Sequence, residues 1–330
     1  MTKHFRMKFI QKIISAFPLS IYHQYIAKKN EWKEADYCLV SFPKCGRTWL
    51  NMMLKKTLLF HFGLESTDSF DLMFREFDAR ALKQKEIKLP KIHILRNHDD
   101  DAHWKKPYEL EKSKRKYKNK KVILLVRDPR DVIVSAYFQQ SKRVNERPAT
   151  LRLILKEWII NGIKPYITIR MKPYKETLQN FIREETGSLE TLLAFYNIWS
   201  ENRHIPQDFL LVYYEDLHSN THHELRRIAH FLGISSLKDE TINQAVDYAS
   251  FDNMRKMEIQ NEDSTENILK PFKKEDEESF KTRKGKVSGF TDYLSQEDIE
   301  YLNKRIKESL SDFYKYKQNP SCSANNANRG

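Results

Sequence analysis

Three short apolar runs constrain what this chain can fold into. Tyr37–Phe42 (Y-C-L-V-S-F), Lys121–Val126 (K-V-I-L-L-V) and Asp208–Leu217 (D-F-L-L-V-Y-Y-E-D-L) each lead into a polar turn or a helical pattern. Continuous apolar runs of this length read as strands buried on both faces, and their interleaving with helices marks a parallel sheet in an α/β architecture. A further strand is predicted at Lys91–Arg96. Helices are predicted over Arg47 to about Phe62, Ser69–Ala81, Asp131 to about Gln140 and, with breaks at Pro165 and Pro173, roughly Ala149–Arg203. Ligands of such sheets bind beyond the carboxyl ends of the strands, where the turns into helices lie.

The charge balance points the same way. Fifty-eight Lys and Arg against 45 Asp and Glu leave +13 on 330 residues, which favours polyanions, phosphorylated or sulfated ligands and anionic membrane surfaces as partners. The run Glu111–Lys121 holds seven basic residues against one acid. It lacks the interleaved aromatics of a single-strand platform, so it is read as a solvated loop and nucleic acid is not expected as a partner. In residues 1–30, Phe9, Ile10, Ile13, Ile14, Phe17 and Ile21 recur at helical spacing between lysines. That predicts a basic amphipathic helix, packed on its own domain or lying on a membrane surface.

Cys38, Cys45 and Cys322 form no paired motif, so a reducing, cytoplasmic setting is expected, with peripheral membrane contact as the variant. No apolar run reaches the length of a membrane span and no signal peptide is expected. The main domain is predicted over residues 31–316, with a helical acceptor-site insertion at about 141–203, and residues 317–330 are predicted to be a disordered tail.

The turn after the first strand reads P-K-C-G-R-T-W. A phosphate-binding turn needs converging backbone N–H groups, a small residue, a cation and a helix starting there. Lys44, Gly46 and Thr48 supply the side chains, although an ordinary strand-to-helix turn with a surface lysine has the same letters. The sequence is not the G-x-x-x-x-G-K-[ST] of nucleoside triphosphatases. After the third strand, R-D-P-R-D places Arg127 at the strand end and Ser135 eight residues on, so both could face one anion; the same residues also suit salt-bridged helix-start chemistry.

Taken together, these segments resemble those of sulfotransferases that use 3′-phosphoadenosine 5′-phosphosulfate (PAPS). V-S-F-P-K-C-G-R-T-W-L resembles their 5′-phosphosulfate loop, P-K-x-G-T-T-W. V-R-D-P-R-D-V-I-V-S resembles the 3′-phosphate segment, and F-K-T-R-K-G-K-V-S-G at Phe280–Gly289 the late R-K-G-x-x-G element. The resemblance implies a P-loop-like three-layer α/β fold with a central, mainly parallel sheet flanked by helices. It implies PAPS as cosubstrate, PAP as product, no metal, and sulfuryl transfer to a hydroxyl or amine of an acceptor.

By the same resemblance, Lys44, Cys45, Gly46, Arg47, Thr48 and Trp49 would hold the 5′-phosphosulfate, with Trp49 also against the adenine. Arg127 and Ser135 would hold the 3′-phosphate, and Arg283, Lys284 and Gly285 would close over it. Ser250, Phe251 and Met254 of Y-A-S-F-D-N-M would line the nucleotide, and Tyr196 would contact adenine. His98 of R-N-H falls where the family's catalytic histidine follows a strand. Its imidazole suits removal of a hydroxyl proton near neutral pH, with His93 and His103 as neighbouring competitors. Lys44 would neutralise the leaving oxygen, Arg96 would contact the transferring group, and Asp99–Asp101 would either orient His98 or form a solvated acidic turn.

Two departures stand out. Arg47 occupies the place of the first threonine of T-T-W, and the family's dimer signature is not recognisable near Gly289–Glu297. The mixed apolar, aromatic and basic section 141–195 suits an amphiphilic or anionic acceptor such as a glycolipid or an acidic saccharide. The competing readings are a P-loop kinase of a small acceptor, which needs a GK[ST] lysine and a magnesium-holding aspartate, and a non-enzymatic polyanion binder.

Overall fold

Strand burial in the computed structural model follows the apolar runs. β1 (Tyr37–Ser41) is buried along its whole length and β3 (Lys121–Val126) at every residue but the first, whereas β2 (Ile94–Asn97) and β4 (Asp208–Tyr213) are mostly half-buried. The reason is position: the four strands form one parallel sheet in the order β2-β1-β3-β4, with β1 and β3 central. Val40 pairs with Asn97 and Leu124, and Val126 with Tyr213, so the four carboxyl ends lie along one edge. β2 begins three residues later than predicted. The His93 carbonyl accepts from the Asp36 and Tyr37 N–H groups, and the ladder with β1 opens at Ile94, which puts Arg96 inside the strand.

The structure describes residues 30–63, 92–144, 173–260, 269, 273 and 275–318. The predicted basic helix before residue 30, the helix at Ser69–Ala81, residues 149–172 of the long helical section and the tail after residue 318 lie outside the described residues. The chain divides into two units. Met1–Ala35 with Val144–Pro173 contributes a helical turn at 30–34, and Asp36–Arg143 with Tyr174–Gly330 contains the sheet and every residue discussed below. Among the described residues no helix is long and apolar enough to cross a membrane.

Among the described residues, the α-helices of six or more residues in the second unit are α1 (Arg47–His61), α2 (Pro129–Lys142), α3 (Leu189–Asn202), α4 (Tyr214–Ser219), α5 (Thr221–Phe231), α6 (Asp239–Tyr248), α7 (Phe251–Gln260) and α8 (Gln296–Ser309). α2 starts two residues earlier than predicted, because Asp128 caps it by accepting the Arg130 N–H at 2.9 Å and Pro129 sits at its first position, where its fixed φ fits and no N–H is needed.

The strand order fixes where a ligand can enter. From the adjacent pair β1 and β3 the connections depart in opposite directions, β1 through α1 to β2 and β3 through α2 and α3 to β4. Right-handed crossovers then set α1 and α3 on opposite faces, leaving a crevice at the carboxyl ends of β1 and β3.

Candidate active site

The turn after β1 is shaped by two left-handed residues, Lys44 at φ 75° and Gly46 at φ 91°. A Cβ on Gly46 would lie 2.5 Å from the Tyr214 ring, so the glycine is required here by packing as well as by conformation. The first hydrogen bond of α1 runs from the Leu50 N–H to the Gly46 carbonyl at 3.1 Å. The N–H groups of Arg47, Thr48 and Trp49 therefore have no acceptor within the helix. The first turn of α1 carries no acidic residue, so the positive end of the helix keeps its preference for an anion.

The turn after β3 lies against this one. Arg127 Nη1 donates to the Lys44 carbonyl at 3.4 Å, and its guanidinium stands 4.2 Å over the Tyr214 ring. Arg127 Nη2 also donates to the Lys286 carbonyl at 3.0 Å and to Asp131 at 3.3 Å, while Asp131 accepts the N–H groups of Ser288 and Phe290 at 2.9 Å each. Arginine and aspartate thus fasten the K-G-K-V-S-G segment beside both turns. Arg130 is different, being spent on Asp128 and Asn303. The R-D-P-R-D motif therefore divides, with its first arginine in the crevice and its second in helix-start chemistry. Ser135 lies half-buried on α2.

Arg283 is held by Glu278 at 3.1 Å and stacks 4.5 Å from Phe138, whereas Lys284 is exposed. Gly285 lies at φ 64°, and a Cβ there would meet the Phe251 ring at 2.4 Å. Phe251 itself is exposed, Met254 of α7 is buried, and the Ser250 hydroxyl accepts the Asn253 N–H at 3.4 Å. Trp49 joins this group: its indole N–H donates to the Ala249 carbonyl at 3.0 Å, and its ring packs edge-on against Tyr214. Trp49 is thus tied to the residue before Ser250, and Phe251 packs over Gly285.

Tyr196 requires correction. It is fully buried, its O–H donates to the Arg127 carbonyl at 2.8 Å, and it accepts the Arg127 N–H at 3.0 Å. Cys45 Sγ lies 3.5 Å away, and burial pushes its thiol up to about 12, so it stays protonated. With the tyrosine proton committed to Arg127, the thiol is the donor. Tyr196 pins the two turns together from behind and has no exposed face for a base.

His98 follows β2 directly. Its Nδ1 lies 2.9 Å from the Ser41 carbonyl, an acceptor only, so Nδ1 carries the proton and Nε2 keeps a free lone pair. Burial, then the Arg47 cation, holds its pKa well below the usual histidine range, and His103 and Lys44 add to the effect. Asp99 does not orient it. Asp99 instead takes Lys114 at 2.5 Å and Lys116 at 2.8 Å, and accepts the Tyr117 hydroxyl at 3.0 Å. The basic run is thus not wholly solvated, since Lys114 is buried to neutralise a buried carboxylate.

Lys44 Nζ donates to Gln139 at 3.2 Å. Burial lowers its pKa to about 7, assisted by the cations Arg143, Lys281, Arg283 and Arg127. Lys281 is likewise lowered to about 8, by burial and then Arg143. Sequence reading missed Tyr214, Gln139, Arg143, Lys281 and the placement of His103. Tyr214 alone carried a signal, standing directly beyond a parallel strand. A crevice with this excess of cations suits a ligand with several negative charges.

A family model described as the sulfotransferase domain matches residues 34–314. Among curated relatives, cytosolic sulfotransferase 12 of Arabidopsis thaliana is 23% identical over 301 residues, covering 86% of this chain and 79% of the relative. A 3-alpha-hydroxysteroid sulfotransferase of Cavia porcellus is 26% identical over 287 residues, covering 85% of each. An amine sulfotransferase of Oryctolagus cuniculus is 24% identical over 295 residues, covering 86% of this chain and 83% of the relative. Among solved structures, mouse sulfotransferase SULT7A1 complexed with PAP aligns over 88% of this chain and 90% of its own, with TM-score 0.51 and 18% identity, which is a likeness of fold. With the domain matched over most of its length, the chain belongs to the sulfotransferase family.

Proposed function

We propose that this protein transfers a sulfuryl group from PAPS to a hydroxyl or amine of an acceptor. The observation that carries the reading is the 3.4 Å contact between the Arg127 guanidinium and the Lys44 carbonyl. It brings two turns, each suited to an anion, to one crevice, as a nucleotide charged at both its 5′ and 3′ positions demands. The cradle fits such a nucleotide on independent grounds: among the described residues the buried N–H donor at Arg127 Nε has no partner, and the N-terminus of α1 has no acid.

The donor supplies the sulfuryl group. The chain supplies His98 Nε2, which takes the proton of the attacking hydroxyl or amine as its oxygen or nitrogen bonds to sulfur. Lys44 places a positive charge near the oxygen that keeps the electron pair of the broken sulfur–oxygen bond, and Arg96 assists at the sulfuryl group. Arg127, Ser135, Arg283 and Lys284 would hold the 3′-phosphate, and Trp49, Ser250 and Phe251 the adenine. Relatives named for hydroxysteroids and for amines support a hydroxyl or amine acceptor. The cationic excess supports an amphiphilic or anionic acceptor, such as a glycolipid or an acidic saccharide.

The test is transfer of radiolabelled sulfuryl from PAPS to extracted glycans and lipids by wild type and His98→Ala. The expected result is a loss of about 100-fold or more in rate, with adenosine 3′,5′-bisphosphate binding within about threefold of wild type. Unchanged transfer by the variant removes His98 as the base.

A further inference from the structure

The nucleotide reading uses the backbone N–H of Arg47 and leaves its half-buried guanidinium without a task. Arg47 stands where the family pattern has threonine, so a guanidinium at this position is a property of this chain rather than a requirement of that pattern. Its electrostatic neighbours are Arg96, Asp101 and Cys45, and it in turn bears on His98, His103 and Lys281. Arg96 and His98 flank the end of β2, and His103 belongs to the turn that follows, its ring 6.1 Å from that of His98. Lys44, by contrast, reaches Gln139 on α2. Both cations of the loop bear on His98 and His103, Arg47 more strongly than Lys44, and Lys44 has its hydrogen bond on α2.

Among the described residues, the buried polar atoms with no hydrogen-bond partner on the side of the base include Arg47 Nη1 and His103 Nδ1. Arg47 lies beside a second arginine with Asp101 as its acidic neighbour, and its open Nη1 leaves the arrangement incomplete. It is completed by an anion that arrives with a ligand.

We infer that Arg47 is a specificity-determining residue whose guanidinium receives an anionic group of the acceptor, a carboxylate or an equivalent oxyanion, close to the hydroxyl presented to His98. A fork of N–H donors suits such a group in a way that the threonine hydroxyl does not. The acceptor class is accordingly an acidic one, in which the negative charge lies within a few bonds' reach of the attacking group. Burial lowers the Arg47 pKa to about 10, with Arg96 adding to the effect, so it is charged at neutral pH.

This inference rests on the nucleotide reading, and its test separates the two. Wild type, Arg47→Thr and Arg47→Lys are first titrated calorimetrically with adenosine 3′,5′-bisphosphate. Each bisphosphate complex is then titrated with 4-hydroxyphenylacetate and with its neutral isostere 4-hydroxyphenylacetamide. The wild-type complex is expected to bind the acid about tenfold or more tightly than the amide. Arg47→Thr should bring the two within about threefold, and Arg47→Lys should keep most of the preference, each ratio being read at saturating bisphosphate so that any change in bisphosphate affinity drops out.

A wild-type complex that shows no preference for the acid, including one that binds neither phenol, overturns the inference. So does an Arg47→Thr variant that loses bisphosphate affinity about tenfold and weakens both phenols equally, since Arg47 then belongs to the nucleotide. Failure of wild type to bind the bisphosphate removes the nucleotide reading itself, and this inference with it.

Discussion

His98 and Lys44 are tuned in one direction by the same surroundings, and their chemistry diverges for that reason. Burial and the Arg47 cation leave His98 neutral at pH 7, which is the form a base needs. Burial and four nearby cations bring Lys44 to about 7, so in the free protein a substantial fraction lacks its proton there. An anion bound beside Lys44 raises its pKa, so the complex holds a proton that the free protein lacks. Affinity for adenosine 3′,5′-bisphosphate should therefore fall as pH rises from about 7 to 9, with uptake of up to about one proton per ligand. Calorimetry at pH 8 in HEPES and in Tris, which differ in ionisation enthalpy, reads the uptake directly. Affinity unchanged across that range would mean that Lys44 is charged without the ligand. Since His98 titrates well below the usual range, no acid-side loss of rate is expected near pH 6.5.

The turn from β1 into α1 depends on one ring from another element. Tyr214, at the start of α4, fills the space left by the missing Gly46 side chain and carries Arg127 on its other contact, 4.2 Å away. Gly46→Ala should thus combine a strained left-handed backbone with displacement of that ring, costing about 1–3 kcal/mol in urea unfolding. It should also weaken bisphosphate binding, because moving Tyr214 moves Arg127. A variant as stable as wild type with unaltered binding would show that the turn is held by other means. The behaviour of the elements also explains which of them were readable. β1 and β3 could be read from their apolar runs and Asp128-Pro129 marks a helix start, whereas β4 ends at Tyr213, four residues short of the predicted strand, because Tyr214–Leu217 opens α4. β2 was placed three residues early because its opening depends on a hydrogen-bonding partner, His93 to Asp36 and Tyr37, that periodicity does not contain.

Across the molecule, the residues legible in sequence are those that stand at strand ends, where topology gathers them whatever the intervening chain does. Lys44, Gly46, His98 and Arg127 are of this kind. Tyr196 was misread because a tyrosine on an apolar helix face looks the same whether it lines a pocket or closes one from behind; only the Arg127 and Cys45 contacts decide. Arg143 and Lys281 escaped notice because they reach Lys44 through folding alone, from the end of α2 and from the segment before Arg283. Asp99 was credited to His98 by adjacency, whereas the buried Lys114 fifteen residues on claims it.

All of these placements serve a single proposal, that one crevice holds both charged ends of an adenosine bisphosphate. The most direct test is a comparison of ligand affinities for wild type and Ser135→Ala: adenosine 3′,5′-bisphosphate, adenosine 5′-monophosphate and ATP with magnesium. Wild type should prefer the bisphosphate over the monophosphate by about 100-fold, and Ser135→Ala should lose about tenfold of that preference without weakening the monophosphate. A wild-type protein that binds the monophosphate as tightly as the bisphosphate, or binds ATP with magnesium most tightly of the three, would contradict it.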